Sequence, residues 1–215
     1  DDFNVHLFDN LCNQLEFISI YSSNFDQKCL EKLFYGRNFP YLTTFYITYC
    51  YGIIKLEKKL FDGLGMIQLL KIFGVGKIDN DVFLNLIELQ ELRLYDTCIE
   101  FIDKTMFSNL IKLKKLCLYG NQIESIEENS FSNLHNLEYL DLSRNQLRSL
   151  SAKLFVGLDN LKELDLRDNK LVSFDLEIFD NIAKIEEINL DTNPIFNRDE
   201  ILNRSKQSKI KVYLS

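Results

Sequence analysis

Apolar residues along the chain follow two alternating rhythms. A short stretch of the form LxxLxLxxN recurs from Leu15, Leu42, Ile67, Leu89, Leu113, Leu137, Leu161 and Ile185, with successive spacings of 27, 25, 22, 24, 24, 24 and 24 residues. Within each unit the anchors fall three and five positions on, as in Leu113, Leu116, Leu118 and in Leu137, Leu140, Leu142. Such period-two alternation over a few residues predicts a short strand. Later in each unit a Phe is followed three residues on by Leu or Ile: Phe83 with Leu86, Phe107 with Leu110, Phe131 with Leu134, Phe155 with Leu158, Phe179 with Ile182. One 24-residue unit cannot bury its own apolar face, so the units are expected to stack, with their Leu positions in one core and their Phe rings in a spine.

These residues resemble the leucine-rich repeat proteins, in the 24-residue subtype with Phe on the convex side that is usual in extracellular animal proteins. The Lys-, Asn-, Ile-, Phe- and Tyr-rich composition is similar to that of insect secreted immune or Toll-like ectodomain repeats. The resemblance implies an α/β leucine-rich repeat solenoid, a horseshoe with a parallel β-sheet on the concave face and loops or short helical turns on the convex face. The organisation expected is an N-terminal cap over residues 1–14, eight repeats over 15–193 and a C-terminal cap over 194–215. In that last segment Asn197 and Glu200 have the spacing of a capping box for a short helix reaching Arg204, and Ile210, Val212 and Leu214 alternate like a final strand. Family members often carry four-cysteine caps at both ends. Here only Cys12 precedes the repeats and no cysteine follows Cys117, so the ends must be closed differently.

Composition narrows the function classes. With 46% hydrophobic and 27% charged residues the chain has the makings of a folded protein rather than a disordered one. A net charge of -7 argues against sequence-independent nucleic-acid binding, which needs surplus cations to replace phosphate counterions. No apolar run approaches the roughly 20 residues that span a bilayer. The start, Asp1 and Asp2, lacks the pattern of a signal peptide, which leaves a cytosolic or an already processed chain.

Five cysteines leave at least one thiol without an intrachain partner or paired between chains. Cys12 and Cys29, just before and within the first repeat, are candidates for a disulfide stapling the N-terminal cap, and Cys98 with Cys117 is a weaker pair. Cys50 stands where the repeat usually has Asn and reads as core filler. Asn121, Asn145, Asn169 and Asn193 form a column whose amides can satisfy backbone groups at the turn leaving each strand, whereas Ser23, Cys50, Val75 and Thr97 hold that column in the first half. Asn203, Arg204 and Ser205 make the glycosylation acceptor pattern.

Little points to catalysis, metal or cofactor. His6 and His135 lie off the strands, and there is no Cys/His cluster of zinc spacing. Asp141 and Asp165 share a strand position in consecutive repeats, roughly 5 Å apart by strand spacing, which overlaps the carboxylate separation of retaining glycosidases; they are read as a solvated surface pair, with a cation site and a catalytic pair as the lesser alternatives. The alternating pattern sends another set of side chains to the concave face, among them Tyr46, Tyr49, Lys71, Phe73, Arg93, Tyr95, Tyr119 and Tyr139. Aromatic and Arg side chains make binding hot spots, and they also pair well across strands. The expectation is a non-enzymatic module binding a protein partner on this strip, with self-association through the same face as one form of partner. A secreted setting is expected, with an intracellular scaffold as the alternative. The acidic surface from Asp141 to Asp191 reads first as a solvated charged face, with steering of a basic partner as the alternative.

Overall fold

In this computed structural model residues 11–21 and 25–215 are described. His6, Ser23 and most of the expected N-terminal cap lie outside them. One parallel sheet takes a strand from each of the eight repeats and a last one from the segment after them, in chain order: β1 (Phe17–Tyr21), β2 (Thr44–Thr48), β3 (Leu69–Phe73), β4 (Glu91–Tyr95), β5 (Lys115–Cys117), β6 (Tyr139–Asp141), β7 (Glu163–Asp165), β8 (Glu187–Asn189) and β9 (Lys211–Tyr213). The protein is an α/β solenoid of leucine-rich repeats. Register follows the repeat, so that Leu92, Leu116, Leu140, Leu164, Ile188 and Val212 are each paired with the next. The residues of this row from Leu92 to Ile188 point inward and are buried, as are Leu94, Leu118, Leu142, Leu166 and Leu190 two positions on. Burying rows of Leu from neighbouring units against each other is the main stabilising term, at roughly 2 kcal/mol for each fully buried side chain.

The Phe spine is continuous in one part only. Ring contacts run from Phe61 through Phe83 and Phe107 to Phe131 at 6.1 to 6.3 Å. Phe155 and Phe179 are also buried, yet the run of ring contacts among the described residues ends at Phe131. The convex backbone changes there, to a 3-10 turn over Ala152–Phe155 and then to a single helical turn, Ile178–Asn181, in which Phe179 packs against Phe174 at 5.6 Å. The first repeat departs further. Its convex side is an amphipathic helix, α1 (Gln27–Phe34), capped by Asp26 accepting from the Cys29 N–H, with Leu30, Leu33 and Phe34 turned to the core.

Strands β2 to β8 each leave the sheet through a residue in the left-handed region: Tyr49, Gly74, Asp96, Gly120, Arg144, Asp168 and Thr192, with φ from 47° to 71°. The next residue is the column occupied by Cys50, Val75, Thr97, Asn121, Asn145, Asn169 and Asn193. In the second half each Asn amide bridges repeats. Asn169 Nδ2 donates to the carbonyls of Leu142 and Leu166, and its Oδ1 accepts the Leu147 N–H. Cys50 does a weaker version of this, its Sγ donating to the carbonyls of Thr48 at 3.4 Å and Ile20 at 3.9 Å.

Two local expectations are corrected. The helix after the repeats is longer, Arg198–Ser208, and no capping box forms: the Asn197 side chain instead bonds both backbone groups of Phe174 in the preceding repeat. An amide that bridges repeats satisfies a donor and an acceptor at once, which a cap would not. Nor does a disulfide join Cys12 and Cys29: Cys12 lies in the apolar core and Cys29 on α1 packed against it. Cys98 and Cys117 likewise remain thiols, because Cys98 is exposed on the turn after β4 whereas Cys117 faces the concave side from β5.

Candidate functional site

Three rows of side chains cover the concave face. Register gives the first row as Phe17, Thr44, Leu69, Glu91, Lys115, Tyr139, Glu163, Glu187 and Lys211. The second runs Ser19, Tyr46, Lys71, Arg93, Cys117, Asp141, Asp165, Asn189 and Tyr213. The third begins Tyr21, Thr48, Phe73 and Tyr95 and continues beyond the strands with Tyr119.

The aromatics form two groups rather than one strip. Tyr49, lifted onto the rim by its left-handed backbone, touches Tyr21 at 5.0 Å, Phe73 at 4.5 Å and Tyr51 at 6.4 Å between ring centroids. Tyr21 and Tyr51 are well exposed. Phe17 and Tyr46 meet edge to face beside this group, at 5.3 Å. The second group is Tyr95 with Tyr119 at 6.1 Å. Lys71 bridges the two, its ammonium 5.9 Å from the Tyr46 ring centroid and 5.9 Å from that of Tyr95. Arg144 lies over Tyr119 at 5.4 Å. Cation–π contacts of this kind are worth on the order of 0.5–1 kcal/mol where exposed, so these rings stabilise the sheet and remain available at its surface. Tyr51 was missed in the sequence because it falls two residues past the alternating stretch. Only the turn at Tyr49 brings its ring back toward the concave rim.

Ion pairs account for most of the charge. Arg93 is bound to Glu91 on its own strand. Arg144 pairs with Asp168 at 3.4 Å, Arg167 with Asp165 at 3.2 Å and Lys211 with Glu187 at 3.2 Å. Asp141 and Asp165 are register partners, yet they are not the solvated pair expected. Asp141 is buried, and its Oδ1 accepts from the N–H and hydroxyl of Ser143. Burial, with Asp141 alongside, pushes the Asp165 carboxyl above its ordinary range.

At the centre of the face Arg93, Cys117 and Asp141 stand in one register row, beneath Tyr95 on one side and Tyr139 on the other. Burial pushes the Tyr95 phenol up to about 12 and the Cys117 thiol up to about 11. It also raises that of Tyr139, next to the Asp141 carboxylate. A thiol so held stays protonated near neutral pH and is a poor nucleophile. His135 faces Asp159 at 3.1 Å, exposed and away from this centre. Among the described residues no group of three or more His, Cys, Asp or Glu is placed to hold a metal ion, and no helix is long and apolar enough to cross a membrane. Asn203 is exposed on the last helix, whereas Ser205 of the same triplet is buried and donates to the Leu202 carbonyl.

The side chains between repeats four and seven leave a hollow of about 360 Å³ lined by Glu91, Arg93, Tyr95, Lys115, Cys117, Glu138, Tyr139, Lys162 and Glu163. A smaller one of about 180 Å³ follows, sharing Tyr139 and Glu163 as its wall and continuing over Asp165, Arg167, Glu187 and Asn189. Such open hollows on an extended sheet suit the side chains of a macromolecular partner better than an enclosed small molecule.

Comparison with known proteins agrees with the geometry. The leucine rich repeat family pattern matches residues 87–147 and 136–195. Among solved structures the chain is similar to the crystal structure of a TLR13–ssRNA13 complex, at 26% identity and a TM-score of 0.67. The likeness covers 83% of this chain and 26% of that one, so the chain spans about a quarter of that protein's length. No curated protein matches the chain.

Proposed function

The chain belongs to the leucine-rich repeat family, and on that footing we propose that it is a non-enzymatic recognition module that binds a protein partner on its concave face. The observation that carries this reading is the exposed aromatic surface of the first five repeats, where Tyr21, Tyr49, Tyr51 and Phe73 make one group of touching rings and Lys71 links Tyr46 to Tyr95. Rigid aromatic side chains bury much area at small entropic loss, and a contiguous exposed set marks an interaction surface. In the resemblance to extracellular repeats lies the support for a secreted, immune-type setting. A second reading, an intracellular scaffold, draws its support from Cys98 and Cys117, which the fold accommodates as thiols.

The RNA named in the matched complex is not carried over to this chain. A strand-binding surface needs cations free to meet phosphates. Here Lys71 lies between two tyrosines, Arg93 is bound to Glu91, the Lys115 left unpaired among the described residues is a single cation rather than a track of them, and the net charge is -7.

The test is affinity capture from the source's extracellular fluid and, separately, from its cell lysate, with the parent and a variant carrying Phe73→Ser, Tyr95→Ser and Tyr119→Ser. Circular dichroism confirms that the variant is folded. A protein held by the parent and lost by the variant supports the reading, and the fluid it came from decides between the two settings. Equal capture by both overturns it and assigns the rings to sheet packing.

A further inference from the structure

Charge on the concave face is mostly arranged in short pairs, apart from Lys71, held between two tyrosine rings, and Asp141, buried against Ser143. Glu91 holds Arg93, Asp165 holds Arg167, Asp168 holds Arg144, Glu187 holds Lys211, and at the edge of the hollow Glu138 holds Lys162 at 2.7 Å. Lys115 and Glu163 do not follow this rule. Their side chains have no ion pair or hydrogen bond with any described residue, both are exposed, and both line the larger hollow. They are also held apart by construction, since Lys115, Tyr139 and Glu163 are successive register partners on β5, β6 and β7. Two strand spacings put the backbones carrying them roughly 10 Å apart, too far for a direct pair without bending both side chains over the ring between. The Tyr139 ring, half-buried, forms the floor separating a positive wall from a negative one.

From this we infer that the hollow takes a dipolar segment of a protein partner, with a carboxylate over Lys115, a Lys or Arg over Glu163, and an apolar stem on Tyr139. The inference rests on the concave-face reading above and adds to it the chemistry and direction of the segment. Acid lies toward the N-terminal repeats and base toward the C-terminal ones. A uniformly basic partner would be repelled by Lys115, and a uniformly acidic one by Glu163. The two charges therefore select order along the segment more than they add affinity, as rim charges generally do.

Panning a phage library of random twelve-residue peptides against the parent, with concave-face binders kept as those lost on the Phe73→Ser, Tyr95→Ser, Tyr119→Ser variant, supplies defined probes. We expect the retained peptides to carry an acid and a base in a fixed order. Lys115→Glu and Glu163→Lys should each weaken them on the order of ten-fold. The double variant Lys115→Glu, Glu163→Lys should prefer the peptide with the two charges exchanged. Both positions are exposed, so the variants should fold as the parent does. Peptides that depend on the aromatic residues but bind parent and charge-exchanged double variant alike would overturn this inference and leave the concave-face reading standing. A library that yields only peptides indifferent to the aromatic changes would overturn both.

Discussion

The side-chain oxygen of Asn145 accepts the backbone N–H of Ile123 at 3.0 Å, joining two residues that lie in successive repeats. Its nitrogen donates at the same time to the carbonyls of Leu118 and Leu142. One buried amide thus satisfies backbone groups on both units, which water does not reach. Asn145→Ala leaves those groups buried without partners, and each such group costs about 1–3 kcal/mol. We expect a loss of about 3 kcal/mol in urea unfolding, with no change in ligand contacts on the concave rows. A loss below about 1 kcal/mol would show that the backbone relaxes to other partners.

The left-handed exit from strands β2 to β8 predicts effects of opposite sign. Gly120 has φ of 71°, and a Cβ there would sit 2.7 Å from Asp96 Oδ1. Gly120→Ala is therefore expected to destabilise by about 1–2 kcal/mol. Thr192 has φ of 60° with a β-branched side chain, the least favourable type for that region. Thr192→Gly should stabilise by up to about 1 kcal/mol, the relief of the left-handed penalty less the added entropy of Gly in the unfolded chain. Thermal melts of the two variants beside the parent check both signs.

Between neighbouring repeats acid and base recur at a spacing of 24 residues, as in Glu88 with Lys112 and Glu138 with Lys162. These pairs are solvent-exposed, so each contributes little. Lys162→Met should lower stability only slightly, and the difference from the parent should vanish in high salt. The pair holds the Glu138 carboxyl below its ordinary range, through the hydrogen bond from Lys162. That part of the stability is present above the unfolded pKa and is lost as pH falls through the lowered one. A salt-independent deficit would mean that the lysine stem, rather than its charge, matters.

Much of this architecture is legible in the sequence because one spacing carries it. Leu116, Leu140 and Leu164 announce the sheet, and Asn145 and Asn169 announce the bridging amides, since the same residue types recur where the same buried job recurs. The left-handed column was not legible: Tyr49, Asp96, Arg144, Asp168 and Thr192 share a backbone conformation but no side-chain type. Tertiary pairing imposes it against local preference. Asn197 misled in the opposite way, as its spacing to Glu200 satisfies a local rule while its amide is taken by Phe174 in the repeat before. The concave site is legible as a set of residues and not as an arrangement. Alternation gives which side chains face the hollow, whereas the partners of Lys71 and Arg93, and the lack of one for Lys115 and Glu163 among the described residues, depend on the register of three or more strands.

Asp165 gives a pH test of the carboxylate row. Its carboxyl is raised above the ordinary 3.8, first by burial and then by the neighbouring Asp141, so the folded protein holds this proton more tightly than the unfolded chain does. A raised carboxyl pKa disfavours the folded state once pH climbs through it, and the penalty disappears below the unfolded pKa. Asp165→Asn removes the charge and keeps an oxygen that can accept the Arg167 N–H, at the loss of an ion pair whose arginine is half exposed and therefore weakly bound. The variant should accordingly be more stable than the parent near pH 7, and the advantage should shrink toward zero as pH falls below about 4. Urea unfolding of both proteins between those limits reads the difference directly. If the variant is instead the weaker at neutral pH, the Arg167 pair outweighs burial and repulsion, and the row from Asp141 to Asp165 is a balanced surface rather than one that favours a basic group of a partner.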